Sequence, residues 1–412
     1  MGRIILSIFF VTLLMCGVFA PSSLAAKKLL LYQGNPGAEY VSANVAEIDA
    51  LPFEGIIFLI PSTGAMRGGA VISVDTFKAD LAGMKAAQQQ LKKVRHNFVY
   101  VRLIKVGPFA GQTASVAQNF ANLAEAARDA GLAGIVYDNE DYENDTWAPS
   151  ITCPGQTVAQ CQAAAVAAGK TVMQAVIAKW PDVKFMTYMP PFFSDATIFQ
   201  QILGIAPEPK HLIEGAYTIG FNEATIGTNA TYIEGAEVFG VQSKAKADSD
   251  YEKRKVTLPQ TSPLIPSAIK TPWAQKVSIG FTVYDRSNGT PAQFKNDITV
   301  NLNAADEYVW AYSPYHKWFG PVTAPIVKAD ATWLAAVKAG RVAAGLPEVP
   351  PEVTPTASPS PTPTTVPNSP TTVPPTPTGP SCSQKQGDAN HDGQVTLADF
   401  AVWRSVFLNP TP

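Results

Sequence analysis

Between Lys28 and Gly345 the chain repeats one rhythm: a short apolar run, a polar loop, then an alanine-rich stretch. Read as strands, the runs are Leu29–Gln33, Gly55–Ile60, Phe98–Leu103, Ile135–Asp138, Lys184–Met189, Ala216–Phe221, Val277–Tyr284 and Tyr308–Tyr312, eight in all. The stretches between them carry a helical period. In Thr113–Ala130, for example, Val116, Phe120, Leu123, Ala124 and Ala127 fall on one face. Val158–Trp180 reads as a second helix, and Asp330 as the cap of a last one running through Val342. Strands that are apolar along their whole length, alternating with helices, predict a parallel sheet covered by helices. Eight such units predict a (β/α)8 TIM barrel over residues 26–346, in the α/β class. An open doubly wound sheet is the alternative, and no Gly-x-Gly-x-x-Gly turn follows the first strand to favour it.

The pattern changes at both ends. Arg3, the apolar run Ile4–Phe19 and the small-residue site Ser23-Leu24-Ala25 predict an export signal over residues 1–25 and a mature chain starting near Ala26, with a retained anchor as the alternative. No later stretch reads as long and apolar enough to span a bilayer. Residues 347–381 are proline, threonine and serine with little else, a linker composition that cannot bury a core. At about 3 Å per residue such a linker reaches roughly 100 Å fully extended. It leads to a separate C-terminal module over residues 382–412.

Composition narrows the function classes. Hydrophobic residues make up 46% of the 412 and charged residues 16%, enough for a large core. A net charge of −2, with no basic stripe, removes the electrostatic case for a nucleic-acid partner. Cys153 and Cys161, eight apart beside a turn into an alanine-rich helix, suit a local disulfide in an exported protein.

The candidate chemistry gathers in Gly134-Ile-Val-Tyr-Asp-Asn-Glu-Asp-Tyr-Glu-Asn-Asp-Thr-Trp147. Here a buried strand ends in five acids within eight residues. Barrel enzymes keep their chemistry at such strand ends. Residues two apart on an extended chain face one side, so Asp138 and Glu140 share a pocket. Two carboxylates that close raise one pKa, as a general acid requires. Asp141, Glu143 and Asp145 read as loop-capping groups. A glycosidase also needs a second carboxylate across the bond. Asp285 after the seventh strand, Glu223 after the sixth and Glu214 just ahead of Gly215 on the sixth are the candidates, with Asp285 ranked first and Glu223 second. Tyr137, Tyr188, Trp310, Tyr312 and Trp318 are candidate sugar-stacking surfaces.

The tail reads Gly387-Asp-Ala-Asn-His-Asp-Gly-Gln-Val-Thr-Leu-Ala-Asp-Phe400. Asp388, Asn390, Asp392, Gln394, Thr396 and Asp399 occupy the ligand positions of a calcium loop, and Gly393 its sharp turn. Phe400, Val402, Trp403 and Phe407 follow at helical spacing. This segment resembles one repeat of a dockerin, the calcium-binding module of secreted carbohydrate-active enzymes. The resemblance implies a bound Ca2+ in the tail and a protein or cell-surface partner for it.

The main domain resembles secreted TIM-barrel glycoside hydrolases. In the large retaining clan the acid/base follows strand four, behind an Asn, and the nucleophile follows strand seven. These positions correspond to Asn139, Glu140 and Asp285. The chain also resembles the chitinase-like family in Asp138-x-Glu140, Met186-x-Tyr188 and Trp310. In that family Glu140 is the acid, the substrate's acetamido group the nucleophile and Asp138 its orienting partner. Both resemblances imply a secreted or surface-associated glycoside hydrolase acting on a polysaccharide or glycoconjugate, with no cofactor needed for catalysis. A glycan-binding or cell-surface protein on a TIM-barrel scaffold is the alternative. With four histidines and no paired His motif, a metal-dependent deacetylase or phosphoesterase is a third, weaker reading.

Overall fold

The computed structural model describes residues 26–66, 70–102, 109–139 and 146–353. Nine parallel strand segments line up: β1 Lys28–Tyr32, β2 Gly55–Phe58, β3 Phe98–Arg102, β4 Gly134–Asp138, β5 Lys184–Thr187, β6 Thr231–Glu234, β7 Ser278–Ile279, β8 Phe281–Tyr284 and β9 Tyr308–Tyr312. β7 pairs with β6, and β8 pairs with β9. Only Gly280 separates β7 from β8, so the two are halves of one stave and the segments close a ring of eight. A Cβ at Gly280 would stand 3.0 Å from the Tyr308 carbonyl oxygen and 3.3 Å from that of Glu234, which is why the shared position is glycine.

Helices cover the ring: α1 Val74–Gln90, α2 Phe109–Asp129, α3 Val158–Lys179, α4 Pro209–Thr225, α5 Lys244–Glu252, α6 Pro291–Ala304 and α7 Ala331–Ala343, with two short helices in the first crossover. Side-chain caps start several of them, including Ser73, the Thr157/Gln160 and Thr290/Gln293 boxes, and Asp330. Val116, Phe120, Leu123, Ala124 and Ala127 of α2 are all buried, as their spacing requires.

Two charge clusters lock the N-terminal end of the ring. Lys28 and Lys184 place their Nζ atoms 2.6 and 2.7 Å from one Glu307 oxygen. Arg341 of α7 grips Glu54 with both guanidinium nitrogens at 2.6 and 2.7 Å, and Glu54 accepts from the Leu29 amide at 2.8 Å. The planar fork suits a buried carboxylate, and it ties the last helix to the first two strands. The described chain stays attached past residue 346, through the Val353 amide on the Lys92 carbonyl at 2.8 Å.

Three expectations are corrected. Ala216–Phe221 is not a strand but the middle of α4, and the sixth strand is Thr231–Glu234. α4 is buried on nearly every side, so its sequence shows no polar stripe. Its glycines explain the close fit: a Cβ at Gly220 would meet the Val166 carbonyl oxygen at 2.1 Å, and one at Gly169 of α3 the Tyr217 carbonyl oxygen at 2.0 Å. Second, α3 is by length and composition apolar enough to cross a membrane. Here it is a layer of the barrel wall, with Cys161, Ala165, Val172, Met173 and Val176 buried. Third, the expected Ca2+ is not upheld, because among the described residues no group of three or more His, Cys, Asp or Glu stands ready to hold a metal ion. The loop Asp388, Asn390, Asp392, Gln394, Thr396 and Asp399, like the linker and the export signal, lies outside the described residues. The Cys153–Cys161 disulfide is present, bridging the turn before α3.

Candidate active site at the barrel mouth

The C-terminal ends of the strands converge on a well of aromatic rings. Register puts Tyr32 opposite Tyr312, and Tyr312 opposite Tyr284. Alternation along each strand turns these side chains inward. Tyr100, Tyr32, Tyr312, Tyr284 and Phe239 stand ring to ring at centroid distances of 5.1, 5.7, 5.6 and 4.6 Å, most of them nearly parallel. They form one curved wall. Below it Trp310 and Tyr188 stack face to face, 3.9 Å apart and 7° from parallel. The Trp310 indole N–H donates to the Gly235 carbonyl at 2.7 Å. The rim opens outward, with Phe239 43% and Tyr315 40% exposed.

Asp138, at the end of β4, lies at one end of the wall and accepts a hydrogen bond from the Tyr100 hydroxyl. Burial, then the nearby Asp138 charge, hold the Tyr100 phenol well above its usual pKa. Burial does the same to Tyr32 and Tyr188, and both also feel Asp138 and Glu237. Both hydroxyls therefore remain protonated donors at any ordinary pH. The Tyr188 hydroxyl is buried and has no hydrogen-bond partner among the described residues. An unmade bond of this kind, in a polar well, is an open place for a ligand oxygen.

The structure therefore brings Asp138, Tyr188, Trp310 and Tyr312 together and places Asp285, Glu223, Tyr137 and Trp318 elsewhere. Glu140 lies outside the described residues. Asp285 does follow its strand, but its carboxylate is committed to a loop. It accepts from the Ser313 hydroxyl, the His316 amide at 2.9 Å and the His316 imidazole at 3.0 Å. Burial raises its pKa to about 6 against the opposing pull of those bonds. Glu223 is on α4, 2.5 Å from the Lys170 ammonium on α3, in the helical layer and not at a strand end. Tyr137 points outward and packs against Phe120, Phe185, Tyr217 and Phe221, because its neighbour Asp138 takes the inward position. Trp318 is buried between Phe53 and Phe294 and bonds Ser313 at 2.7 Å, so it braces the loop and does not line the mouth. His316 lies on Trp333, with ring centroids 4.0 Å apart.

Sequence reasoning missed Tyr32, Tyr100, Tyr284 and Glu237. For the three tyrosines the signal was present: Tyr32 and Tyr284 are inward positions at the last residue of their strands, and Tyr100 lies two residues before the end of its own. Glu237 was hidden because the strand it follows, Thr231–Glu234, is not among the apolar runs read as strands; the helical run Ala216–Phe221 took its place.

No protein-family model matches the chain. No curated protein matches it either. Among solved structures, a GH18 chitinase from Pseudoalteromonas aurantia is 13% identical with a TM-score of 0.37, over 70% of this chain and 94% of that one. A GH5_18 protein from Streptomyces cattleya, in complex with GlcNAc, is 12% identical with a TM-score of 0.44, over 79% of this chain and 83% of that one. The 3-keto-D-glucoside 4-epimerase YcjR from E. coli is 11% identical with a TM-score of 0.38, over 77% and 99%. Likenesses this distant span hydrolases and an epimerase alike and identify neither substrate nor reaction.

Proposed function

We propose that this chain is a carbohydrate-active enzyme that hydrolyses glycosidic bonds in a polysaccharide or glycoconjugate. The observation that carries the reading is the well itself: five rings in one wall with a carboxylate, Asp138, at its end and, at its floor, a Tyr188 hydroxyl with no hydrogen-bond partner among the described residues. Sugar rings present C–H faces that stack on aromatic rings and hydroxyl edges that need hydrogen-bond donors and acceptors. The site lies at the strand ends where barrel enzymes carry their chemistry. Glu140, two residues beyond Asp138, is our choice for the proton donor, with Asp138 fixing its environment. The disulfide Cys153–Cys161 favours an exported protein, in line with the signal read at residues 1–25.

The same well also suits a non-catalytic glycan-binding protein, since Asp285 is held by Ser313 and His316 and does not present itself as a second acid. One experiment separates the two. The mature protein is screened against polysaccharides with and without N-acetylated sugars, beside Glu140→Gln and Asp138→Asn, with reducing ends and product masses as readout. Hydrolysis that falls by a factor of about 100 or more in Glu140→Gln supports the reading. Glycan binding with no hydrolysis in any of the three proteins refutes it in favour of the binding protein.

A further inference from the structure

Of the large hydrophobic side chains left exposed among the described residues, only Phe239 and Tyr315 are aromatic, and both stand against Tyr284 at the barrel mouth. The Phe239 ring lies 4.6 Å from that of Tyr284 and 6.3 Å from that of Tyr312, and the Tyr315 ring meets Tyr284 edge-on at 6.1 Å. With Phe239 43% and Tyr315 40% exposed, the three rings form one apolar patch open to solvent. A contiguous patch of this kind marks a contact surface, where single exposed side chains do not.

Both exposed rings stand on fixed backbone. Phe239 lies between Val238 and Val241, which are buried, and Gly240 turns the chain with a φ of 95°. The loop sends its aliphatic side chains inward and leaves its largest one outside. Tyr315 is held from two sides. Its amide donates to the Asp285 carboxylate at 3.4 Å, and its carbonyl accepts from the Val327 amide at 3.2 Å, where β10 His316–Lys317 pairs with β11 Val327–Lys328. The other Asp285 oxygen holds Ser313 and His316, the residues around it in the loop. Asp285 also follows Tyr284 directly, so one buried carboxylate fixes the loop of Tyr315 beside the ring that Tyr315 meets. A ring displayed on fixed backbone loses little freedom when a ligand covers it.

The patch is continuous with the well but lies away from its carboxylate. Tyr284 is on the stave opposite that of Tyr100, the ring bonded to Asp138, with Tyr32 and Tyr312 between them. A sugar unit beside Asp138 does not reach the patch, and units further along a chain do. Their C–H faces stack on rings of this kind.

We infer that Phe239, Tyr284 and Tyr315 form an outer platform that binds sugar units of a chain beyond the unit at Asp138, with Asp285 as the positioning residue that holds Tyr315 there. The inference rests on the glycosidase reading above and narrows it: the substrate is a linear polysaccharide and not a short glycan on a glycoconjugate. It also gives Asp285 a task other than that of a second acid.

The test uses the full chain and oligosaccharides of increasing length from the polysaccharide that gives the strongest response in the screen. It measures Kd by calorimetry and, for cleaved lengths, kcat and KM, in the wild type, Tyr315→Ala, Asp285→Ala, their double variant and Val342→Ala. Val342 is 56% exposed beside Arg341, at the other end of the barrel, and its variant should match the wild type at every length. In the wild type, affinity should rise with length. Tyr315→Ala should weaken the longest ligand by about 3- to 10-fold, by a factor that grows with length, and should change KM more than kcat. Asp285→Ala should show the same dependence on length, and in the double variant the two losses should not add. If Asp285→Ala does not fold, Asp285→Asn keeps one acceptor oxygen and should show a smaller loss of the same form. A Tyr315→Ala loss that is absent, or equal on short and long ligands, overturns the inference, while hydrolysis by the wild type keeps the glycosidase reading in place. Additive losses remove the role of Asp285. A wild-type dimer that Tyr315→Ala separates in sedimentation makes the patch a contact between copies and also overturns the inference. Length-dependent binding through Tyr315 with no hydrolysis keeps the platform and removes the glycosidase reading. A wild type that neither binds nor cleaves any glycan removes both.

Discussion

Tyr188→Phe should make the free protein more stable and the site worse. The side chain is 2% exposed and one face of its ring is covered by Trp310 at 3.9 Å. Its aromatic body is thus fully packed, and phenylalanine keeps all of that contact. Only the hydroxyl is lost, and it has no hydrogen-bond partner among the described residues. Leaving a buried donor unmade costs about 1–3 kcal/mol. The void left by one oxygen atom takes back part of the gain, so the expected net is about 1–2 kcal/mol of added stability. In a domain of this size that raises the thermal midpoint by a few degrees. The assay is urea unfolding at fixed pH, where the midpoint should rise with the slope unchanged. Oligosaccharide affinity should fall about 5- to 30-fold, because a ligand oxygen loses its donor. A destabilised variant would refute the reasoning by showing that the hydroxyl is already paired in the free protein. A stabilised variant with unaltered affinity would show that it does not meet the ligand.

Two further outcomes follow from packing and charge. At Gly220 the added Cβ meets backbone atoms at 2.1 and 2.5 Å, which cannot rotate away, so α3 and α4 must separate. Gly220→Ala should cost about 1–3 kcal/mol in urea unfolding despite the roughly 1 kcal/mol that alanine gains in a helix. Gly111→Ala, with nothing within 4 Å of its Cβ, should show only the gain, and equal effects at the two sites would refute the packing argument. Burial raises the Asp285 carboxyl from 3.8 to about 6, so the folded state binds its proton more readily than the unfolded chain does. The ionised form therefore costs stability at neutral pH, and the cost lifts as pH falls from above 6 to below 4, by an amount on the order of 3 kcal/mol. The stability difference between wild type and Asp285→Asn should shift toward the wild type as pH falls across that window, with the His316 imidazole and the nearby Lys317 as the groups facing the carboxyl. A difference independent of pH would contradict the assignment.

The sequence by itself determined the barrel and most of its staves. Strands buried on both faces read as unbroken apolar runs, and seven of the eight runs lie where strands form. It also determined α2, α3, the Asp330 cap and the Asp138 end of β4, because helix period, capping and strand-end acids are local patterns. What failed was non-local. α4 reads like a strand because it is buried all round, and that follows from Gly169 and Gly220 letting two helices touch backbone to backbone. Tyr137 and Trp318 are aromatic and near the site in sequence, yet alternation sends one outward and the loop over Asp285 buries the other. Whether an acid is free to act or already spent on an amide, an imidazole or an ammonium depends on which chain segments meet it in space. That is why Asp285 and Glu223 looked like candidates in the sequence and are already engaged in the structure. The turn after β6 is a meeting of the same kind, held at the Ala236 carbonyl by the hydroxyl of Thr282 from two strand segments further along, and no local pattern records it.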